Sequence, residues 1–315
     1  METFEDMEEY MAAVKANTSI QEVLDISQSG PEIFFTWAQN IGLTYAYKGL
    51  NYMWLDPSEA KPTIRYNFDI EGLDGFLEMM NRWNEAGYFT KSALSDTDTS
   101  KTQNGKAAIK VHNIDTFSGL YVNQPTWGFE YSNLVTTLAH LPFTQDCLVI
   151  SNTSKNPEKA LELWNKITTD QEIFDLFYYG IEGTTYTLNE KGETTVTDPD
   201  LYSFSACWAA RTTQLYRQTA GTPDSYYEQT KEFENTIKSG VGAERLTGFV
   251  FDTTNVETEI AACSQVWQQY WWPLEMGYTD PVTGLEEYKN QMLAAGIEKV
   301  VAECQAQLDV YCENH

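Results

Sequence analysis

Residues 148–183, LVISNTSKNPEKALELWNKITTDQEIFDLFYYGIEG, contain the clearest succession of structural signals in the chain. The apolar run at residues 147–150 predicts a short buried strand. Asn156, which is followed by proline, suits the N-cap of a helix, because its side chain can accept a hydrogen bond from a free backbone amide. Asp170 is placed to cap a second helix, and Gly180 suits the left-handed residue that ends it. The stretch therefore predicts a strand followed by two capped helices.

Each of the two helices has an apolar stripe at helical spacing. The stripe of the first helix contains Ala160, Leu161, Trp164 and Ile167, and that of the second contains Ile173, Phe174 and Phe177. A helix with such a stripe buries one face against another element. We therefore expect both helices to pack into a core.

The same stretch resembles the extracellular solute-binding proteins of ABC importers. The similar features are a loop written S-x-x-S-K-N-P-E-x-A, a helix, T-D, a second helix and Y-G-I-E-G. The nearest match is the carbohydrate-type group, in its lipoprotein branch from Gram-positive bacteria. The resemblance implies that this segment leaves the hinge and packs into the first lobe.

Residues 246–261, LTGFVFDTTNVETEIA, are similar to the G-F-x-F-D-T-x-x-V-x-T-E-I-A of that branch, and residues 296–309 resemble its closing helix. The implied fold is α/β, of the type II periplasmic-binding-protein-like class with two lobes. Residues 1–142 are then mainly the second lobe. Residues 143–197 are the hinge and the remaining first-lobe segment. Residues 198–315 supply second-lobe helices, a hinge crossing and the closing helices.

The amino terminus, METFEDMEE, is acidic and has neither the basic start nor the apolar centre of a signal peptide. The resemblance implies an exported, lipid-anchored protein at the cell surface, and this sequence shows no lipobox. It also lacks the strand-rich beginning of the first lobe. We therefore expect an N-terminally truncated form of such a protein.

The composition excludes several classes of protein. A chain of 315 residues suits two lobes, and its formal charge of −26 argues against nucleic acid as a partner, because that binding depends on neutralising phosphates. The five cysteines are an odd number without metal-ligand spacing, so at least one is free, and we expect buried, unreactive thiols.

Catalysis has no strong signal in the sequence. The three histidines do not stand at metal spacing, and no nucleophile elbow or glycine-rich phosphate loop is present. We therefore predict no catalytic residue, no metal and no cofactor. A carboxylate pair for glycoside hydrolysis stays an alternative, although 46 acidic residues make any particular pair uninformative.

Aromatic residues beside polar partners are the candidate ligand-binding residues. A sugar has an apolar C–H face and an edge of hydroxyl groups, so its receptor needs flat rings beside carboxylate, amide or guanidinium groups. Such groups come together as Trp54 with Asp56, Trp127 with Glu130, and Trp208 with Arg211. For each tryptophan, core packing or loop anchoring is an equal alternative.

The resemblance adds two features of the cleft. The segment at Trp208 resembles a W-x-x-G-N motif near the cleft, although this chain has Trp-Ala-Ala-Arg there. The turn at residues 180–183 borders the cleft in these proteins, so Glu182 is a candidate acceptor for a sugar hydroxyl, with a role at the helix end as its alternative.

These inferences predict a solute-binding component of an ABC transporter, not an enzyme. The expected ligand is a sugar or oligosaccharide held between the lobes, and the expected partner is the permease in the membrane. We expect the protein to act as a monomer. Two alternatives remain: a glycoside hydrolase or other carbohydrate-active enzyme, and a remnant or interaction module without a ligand.

Overall fold

The computed structural model describes residues 1–20, 22–27, 33–113, 127–135, 148–198, 201–202, 210, 212, 214–239, 246 and 248–315. The chain divides into two compact units. The first contains Met1–Thr116, Glu130–Pro142 and Gln229–His315, and the second contains Phe117–Phe129 and Phe143–Glu228. The assignment of residues 1–142, 143–197 and 198–315 to particular lobes stays a prediction.

The helices of the first unit surround its core. They are α1 (Phe4–Asn17), α2 (Ile33–Asn40) and α3 (Leu73–Ala86), and towards the C-terminus α7 (Glu257–Val266), α8 (Trp272–Glu275), α9 (Pro281–Ala294) and α10 (Ile297–Asn314). A π-helical turn, Trp267–Trp271, joins α7 to α8, so the helical chain continues through Pro273. Because proline ordinarily ends or kinks a helix, the sequence predicts that the helix running through Val266 and Tyr270 stops at Pro273. The structure differs, since Pro273 directly follows the π-helical turn, where the regular i→i−4 hydrogen-bond pattern is already interrupted.

Local sequence signals explain the ends of several helices. Thr3 and Asp6 form a reciprocal capping box at the start of α1. Gly87 ends α3 at a φ of 68°, as the sequence predicts. Gly296, with a φ of 89°, separates the two closing helices.

A small antiparallel sheet lies in the first unit. Its strands are β1 (Thr44–Tyr45), β2 (Met53–Leu55) and β3 (Arg65–Tyr66), in the order β1-β2-β3. All three residues of β2 are buried, because the central strand is covered on both faces. Large aromatic and aliphatic side chains of the helices pack around it in one hydrophobic core.

The second unit contains α4 (Pro157–Thr169), α5 (Gln171–Tyr178), and the strands β4 (Tyr186–Leu188) and β5 (Thr194–Val196), which form an antiparallel hairpin. In the sequence, residues 184–196 alternate polar and β-branched residues around Asn189-Glu-Lys-Gly192, which predicts a hairpin with a glycine in its turn, and this prediction is confirmed. Asp170 caps α5 by accepting hydrogen bonds from two backbone amides, and Gly180 has a φ of 90°, so both predictions are confirmed. Helix α6 (Asp224–Ser239) follows the hairpin.

Two features of the opening stretch differ from the prediction. Residues 148–150 do not form a strand, and Val149 is 82% exposed. A strand needs hydrogen-bonding neighbours, and the two sheets formed by the described residues do not include this segment. Asn156 occupies the N-cap position of α4, but its side chain makes no capping hydrogen bond there.

Candidate functional site

Trp54 lies in the core of the first unit. It is 1% exposed and forms part of β2. Its ring packs against Tyr45 at 4.6 Å between centroids and against Phe34 at 5.3 Å, and its Nε1 donates to the backbone oxygen of Asn51 at 2.9 Å. A sugar cannot stack on a ring that is covered in this way. The structure thus assigns Trp54 to core packing, which was the alternative to ligand stacking.

The other predicted residues have more accessible positions. Asp56 is half-buried, and its Oδ1 accepts from the backbone amide and the hydroxyl of Ser58, at 2.8 and 2.6 Å, which stabilises a turn. Trp127 is 46% exposed, with its ring 5.8 Å from that of Phe129. Glu130 is exposed. Roles in ligand binding for Asp56 and Trp127 stay predictions, and Trp208 and Arg211 lie outside the described residues.

Glu182 lies in an exposed turn at the end of α5. The turn is held by Thr185, whose hydroxyl donates to the backbone oxygen of Tyr179 at 2.7 Å and accepts from the amide of Ile181 at 2.8 Å. Gly180 and Gly183 both have positive φ angles, of 90° and 76°, which glycine adopts without strain. This arrangement presents the Glu182 carboxylate to solvent on an ordered backbone, where it can accept from a sugar hydroxyl.

An ion pair close to this turn was not predicted from the sequence. The carboxylate of Asp175, on α5, binds the guanidinium of Arg217 through two oxygens, with Nε–Oδ1 at 3.0 Å and Nη2–Oδ2 at 2.7 Å. Gln171 donates to the same carboxylate at 2.8 Å. Asp175 is buried, and the Arg217 side chain keeps 24% of its surface exposed. Because two N–H groups fit two oxygens, the guanidinium has a fixed orientation.

Aromatic rings surround the ion pair. The ring of Tyr178 stacks on Phe174 at 5.2 Å and meets Tyr216 edge-to-face at 5.0 Å. The hydroxyl of Tyr179 accepts from the backbone amide of Arg217 at 2.9 Å. We define the tyrosine–arginine cluster as the following residues: Phe174, Asp175, Tyr178, Tyr179, Tyr216 and Arg217.

The chemistry of the tyrosine–arginine cluster suits a neutral polar ligand. Burial raises the pKa of Tyr179 to about 12, so its hydroxyl stays neutral at physiological pH. The half-buried rings of Tyr178 and Tyr216 can contact the C–H face of a sugar, and Arg217 can donate to hydroxyl groups. Asp175 and Arg217 are 42 residues apart, so their pairing has no local signal in the sequence.

The described residues contain no group of three or more histidine, cysteine, aspartate or glutamate side chains that could hold a metal ion. Within the same residues, no helix has the length and apolar character needed to cross a membrane. Cys263 and Cys304 are buried free thiols, as expected, whereas the free thiol Cys312 is half-buried. Burial raises the pKa of Cys263 to about 11 and that of Cys304 to about 12, which favours the protonated thiol.

Comparison with known proteins defines the class of the fold. A family model described as "Domain of unknown function (DUF3502)" matches residues 245–313. A carbohydrate ABC transporter substrate-binding protein of Streptococcus pneumoniae is 26% identical over 275 residues, which are 82% of this chain and 53% of the relative. The chain thus spans about half the length of the curated relative that it matches.

Solved structures show the same similarity. The N-glycan transport solute-binding protein NgtS of Streptococcus pneumoniae superposes with a TM-score of 0.76 at 21% identity, over 100% of this chain and 69% of NgtS. NgtS in complex with Man5GlcNAc gives a TM-score of 0.72 at 20% identity, over 100% of this chain and 68% of that chain. An HMO-binding, ABC-transporter-associated solute-binding protein of Bifidobacterium longum infantis gives 0.58 at 14% identity, over 98% and 70% of the two chains.

The chain therefore has the α/β fold of the solute-binding proteins of ABC importers, and the predicted fold class is confirmed. More particularly, its relative in sequence is a carbohydrate-type substrate-binding protein, so the resemblance given by residues 148–183 and 246–261 is also confirmed. These relatives are binding proteins.

Proposed function

We propose that this chain is the substrate-capture component of an ABC transporter and that it binds an oligosaccharide. The observation that carries the proposal is the match of 82% of the chain to a carbohydrate ABC transporter substrate-binding protein. The fold supports it, because the chain superposes on a glycan-binding protein whose complexes contain Man1GlcNAc and Man5GlcNAc.

The tyrosine–arginine cluster and the turn at Glu182 form the proposed sugar-contacting surface within the second unit. Tyr178 and Tyr216 supply rings for the apolar face of a pyranose. Arg217 supplies N–H donors, and Glu182 supplies an exposed acceptor. This combination of flat rings with both donors and acceptors is what a neutral oligosaccharide requires.

The proposal includes the partners and the location of the protein. The chain acts by binding and not by catalysis, and the ligand-bound form is recognised by the permease subunits of the importer. The protein acts outside the membrane as a monomer, held at the cell surface as a lipoprotein of a Gram-positive bacterium.

Thermal unfolding with a panel of oligosaccharides tests the proposal. The panel contains mannose-terminated N-glycan fragments, human milk oligosaccharides and maltooligosaccharides, each added to the purified chain. A ligand that binds only the folded state, at about 100 times its Kd, stabilises by roughly 2.7 kcal/mol and raises the melting temperature by roughly 5 °C or more. Calorimetry then gives the affinity.

Substitutions locate the surface. Tyr178→Leu and Tyr216→Leu keep apolar bulk but remove the ring, and we expect each to weaken binding by about 10-fold or more. Tyr10→Leu is the matched control, because Tyr10 is exposed on α1 and should leave the affinity unchanged. If no oligosaccharide raises the melting temperature, the chain is not a sugar receptor. If reducing sugar is released during incubation, it is a glycoside hydrolase.

A further inference from the structure

Asn104 and Gly105 form the only Asn-Gly pair in the sequence. Both residues are exposed and lie in a turn at residues 101–105, outside the helices and strands. Gly105 has a φ of 68°. Because a glycine has no Cβ, its backbone rotates more freely than that of other residues, and its nitrogen is open to close approach. Asn104 is therefore the asparagine whose side-chain amide meets the least steric hindrance from the residue that follows it.

Two hydrogen bonds between neutral groups hold the Gly105 amide and the Asn104 side chain in place. The Gly105 amide donates to the backbone oxygen of Thr102 at 3.2 Å, and Nδ2 of Asn104 donates to the hydroxyl of Ser100 at 3.0 Å. A hydrogen bond between neutral groups contributes little net stability where water can replace it, so a local opening of the turn breaks both bonds easily. Such an opening leaves the Gly105 nitrogen and the Asn104 side chain able to meet.

We propose that Asn104 is a site of spontaneous covalent modification, in which its side-chain amide group is lost as ammonia. The backbone nitrogen of Gly105 attacks Cγ of Asn104, and the new N–C bond closes a five-membered succinimide ring. The bond between Cγ and Nδ2 breaks, and Nδ2 leaves as ammonia with the proton that the Gly105 nitrogen gives up. Water, the only co-reactant, then adds to one of the two ring carbonyl carbons, which opens the ring to aspartate or to isoaspartate.

The surroundings of Asn104 suit an amide and not a carboxylate. The hydroxyl of Ser100 donates to Oδ1 of Asp98 at 2.8 Å, so it has only lone pairs to offer to residue 104. Hydrogen bonds from Lys106 and Ser100 hold the pKa of Asp98 well below its usual range, so Asp98 stays ionised and keeps the Ser100 proton directed towards it. The NH2 group of Asn104 matches the free lone pairs of Ser100, whereas a carboxylate oxygen would face them acceptor to acceptor. Both products therefore lose this hydrogen bond.

Isoaspartate also lengthens the main chain by one methylene group, because the backbone then passes through the former side chain. The amide of Lys106, just beyond the modified bond, donates to the backbone oxygen of Lys101 at 2.8 Å and closes the turn. Lys101 is buried, and its Nζ donates to the backbone oxygen of Ile26 at 2.9 Å and pairs with Glu22 at 2.8 Å. The longer chain displaces a turn that holds this buried lysine, so the modification lowers the stability of the protein.

Storage of the purified chain, followed by peptide mass spectrometry, tests the proposal. Samples are kept at mildly acidic and at mildly alkaline pH, and the peptide that contains residue 104 is followed for the mass gain that accompanies replacement of NH2 by OH. We expect faster conversion at alkaline pH, because the attacking amide nitrogen must lose its proton. Asn152, which is also exposed in a turn, is the control within the same chain. Asn104 should react at least about 10-fold faster than Asn152, because the residue after Asn152 is the β-branched Thr153.

Two substitutions at position 104 separate the modification from its effect. Asn104→Gln keeps a side-chain amide but moves it one methylene group away, so attack by the next nitrogen would have to close a six-membered ring, and we expect no mass gain during the time that converts half of the parent. Asn104→Asp reproduces one product and should melt roughly 2 °C or more below the fresh parent, because the hydrogen bond to Ser100 is lost. After storage, the melting temperature of the parent should fall by a similar amount, and that of Asn104→Gln should not change.

Two outcomes overturn the proposal. The first is conversion of Asn104 at no more than the rate of Asn152, because the glycine then confers no reactivity. The second is an equal mass gain at position 104 in Asn104→Gln, because the reaction then does not pass through a five-membered ring. Isoaspartate among the products of the parent supports the succinimide route, since direct hydrolysis of the side-chain amide gives aspartate alone. The measurement involves no sugar, so its result is independent of the proposed function.

Discussion

Glu275 provides the sharpest test of the structure, because its carboxylate is buried in the core of the first unit. Only 2% of the residue is exposed. Its Oε1 accepts from the backbone amide of Phe34 at 3.2 Å, and its Oε2 accepts from Nε1 of Trp271 at 2.8 Å. Burial raises the pKa of Glu275 to about 8, and these two hydrogen bonds limit the rise.

The raised pKa of Glu275 makes stability depend on pH in a defined direction. The carboxyl group has a pKa of 4.5 before burial, so between about pH 4.5 and pH 8 the unfolded chain has released the proton that the folded chain keeps. Folding takes up a proton in this range, and stability therefore falls as the pH rises. At about 1.4 kcal/mol per pKa unit, the loss is about 3 kcal/mol at pH 7 and about 4 kcal/mol at pH 8, and it approaches about 5 kcal/mol above pH 8.

Glu275→Gln removes the ionisation and keeps the shape. The amide can offer its oxygen to only one of the two N–H donors, which costs about 1–2 kcal/mol at every pH. We therefore expect the variant to be less stable than the parent at pH 5 and more stable at pH 8, with the curves crossing near pH 6. Urea unfolding followed by tryptophan fluorescence at several pH values measures this difference.

Two comparisons isolate the effect. Glu286→Gln, at an exposed position on α9, removes one negative charge without changing the core, and should give a nearly constant difference from the parent. It thereby controls for the general repulsion expected at a formal charge of −26. If Glu275→Gln also differs from the parent by the same amount at pH 5 and pH 8, Glu275 does not titrate between them and the reasoning is wrong.

Three further substitutions test other parts of the structure. Lys101→Met removes a side chain that is 4% exposed and paired with Asp96 at 2.6 Å, and should destabilise by about 3 kcal/mol in urea unfolding; a loss below about 1 kcal/mol would contradict a buried network. Arg217→Lys keeps the charge but loses the bidentate hydrogen bonding to Asp175, so the affinity for sugar should fall about 10-fold. An unchanged affinity would show that Arg217 does not belong to the sugar-binding site. Gly277→Ala should lower stability by at least about 2 kcal/mol in thermal unfolding, because φ is +62° and the added Cβ would lie 2.5 Å from a backbone oxygen; a neutral result would contradict that close packing.

Local signals predicted local structure. Asp170 caps α5 and Gly180 ends it, because a cap depends on the side chain and the few backbone groups beside it. The strand at residues 148–150 was predicted from the same kind of pattern and was wrong, because a strand depends on partners elsewhere in the chain. The helices of this region could thus be predicted from the sequence, and the state of its sheet could not.

The candidate site follows the same division. Because Trp54 and Asp56 are two residues apart, the sequence predicted that they contact a sugar together. Trp54 is buried instead, because its ring packs against helices that are distant in sequence. Asp175 and Arg217 are 42 residues apart, and no spacing pattern in the sequence indicates that they form an ion pair. Glu182 could be proposed because the glycines that expose it are adjacent to it.

Helix α5 separates the proposed sugar-contacting surface from its other side. One side of the helix carries Asp175, whose carboxylate is buried against Arg217, and the next residue, Leu176, is exposed because successive helical residues differ by 100°. A charge at Leu176 should therefore leave the geometry of the ion pair, and with it the oligosaccharide affinity, unchanged. A loss of affinity as large as that of Arg217→Lys would contradict the assignment of the sugar to the Arg217 side of the helix.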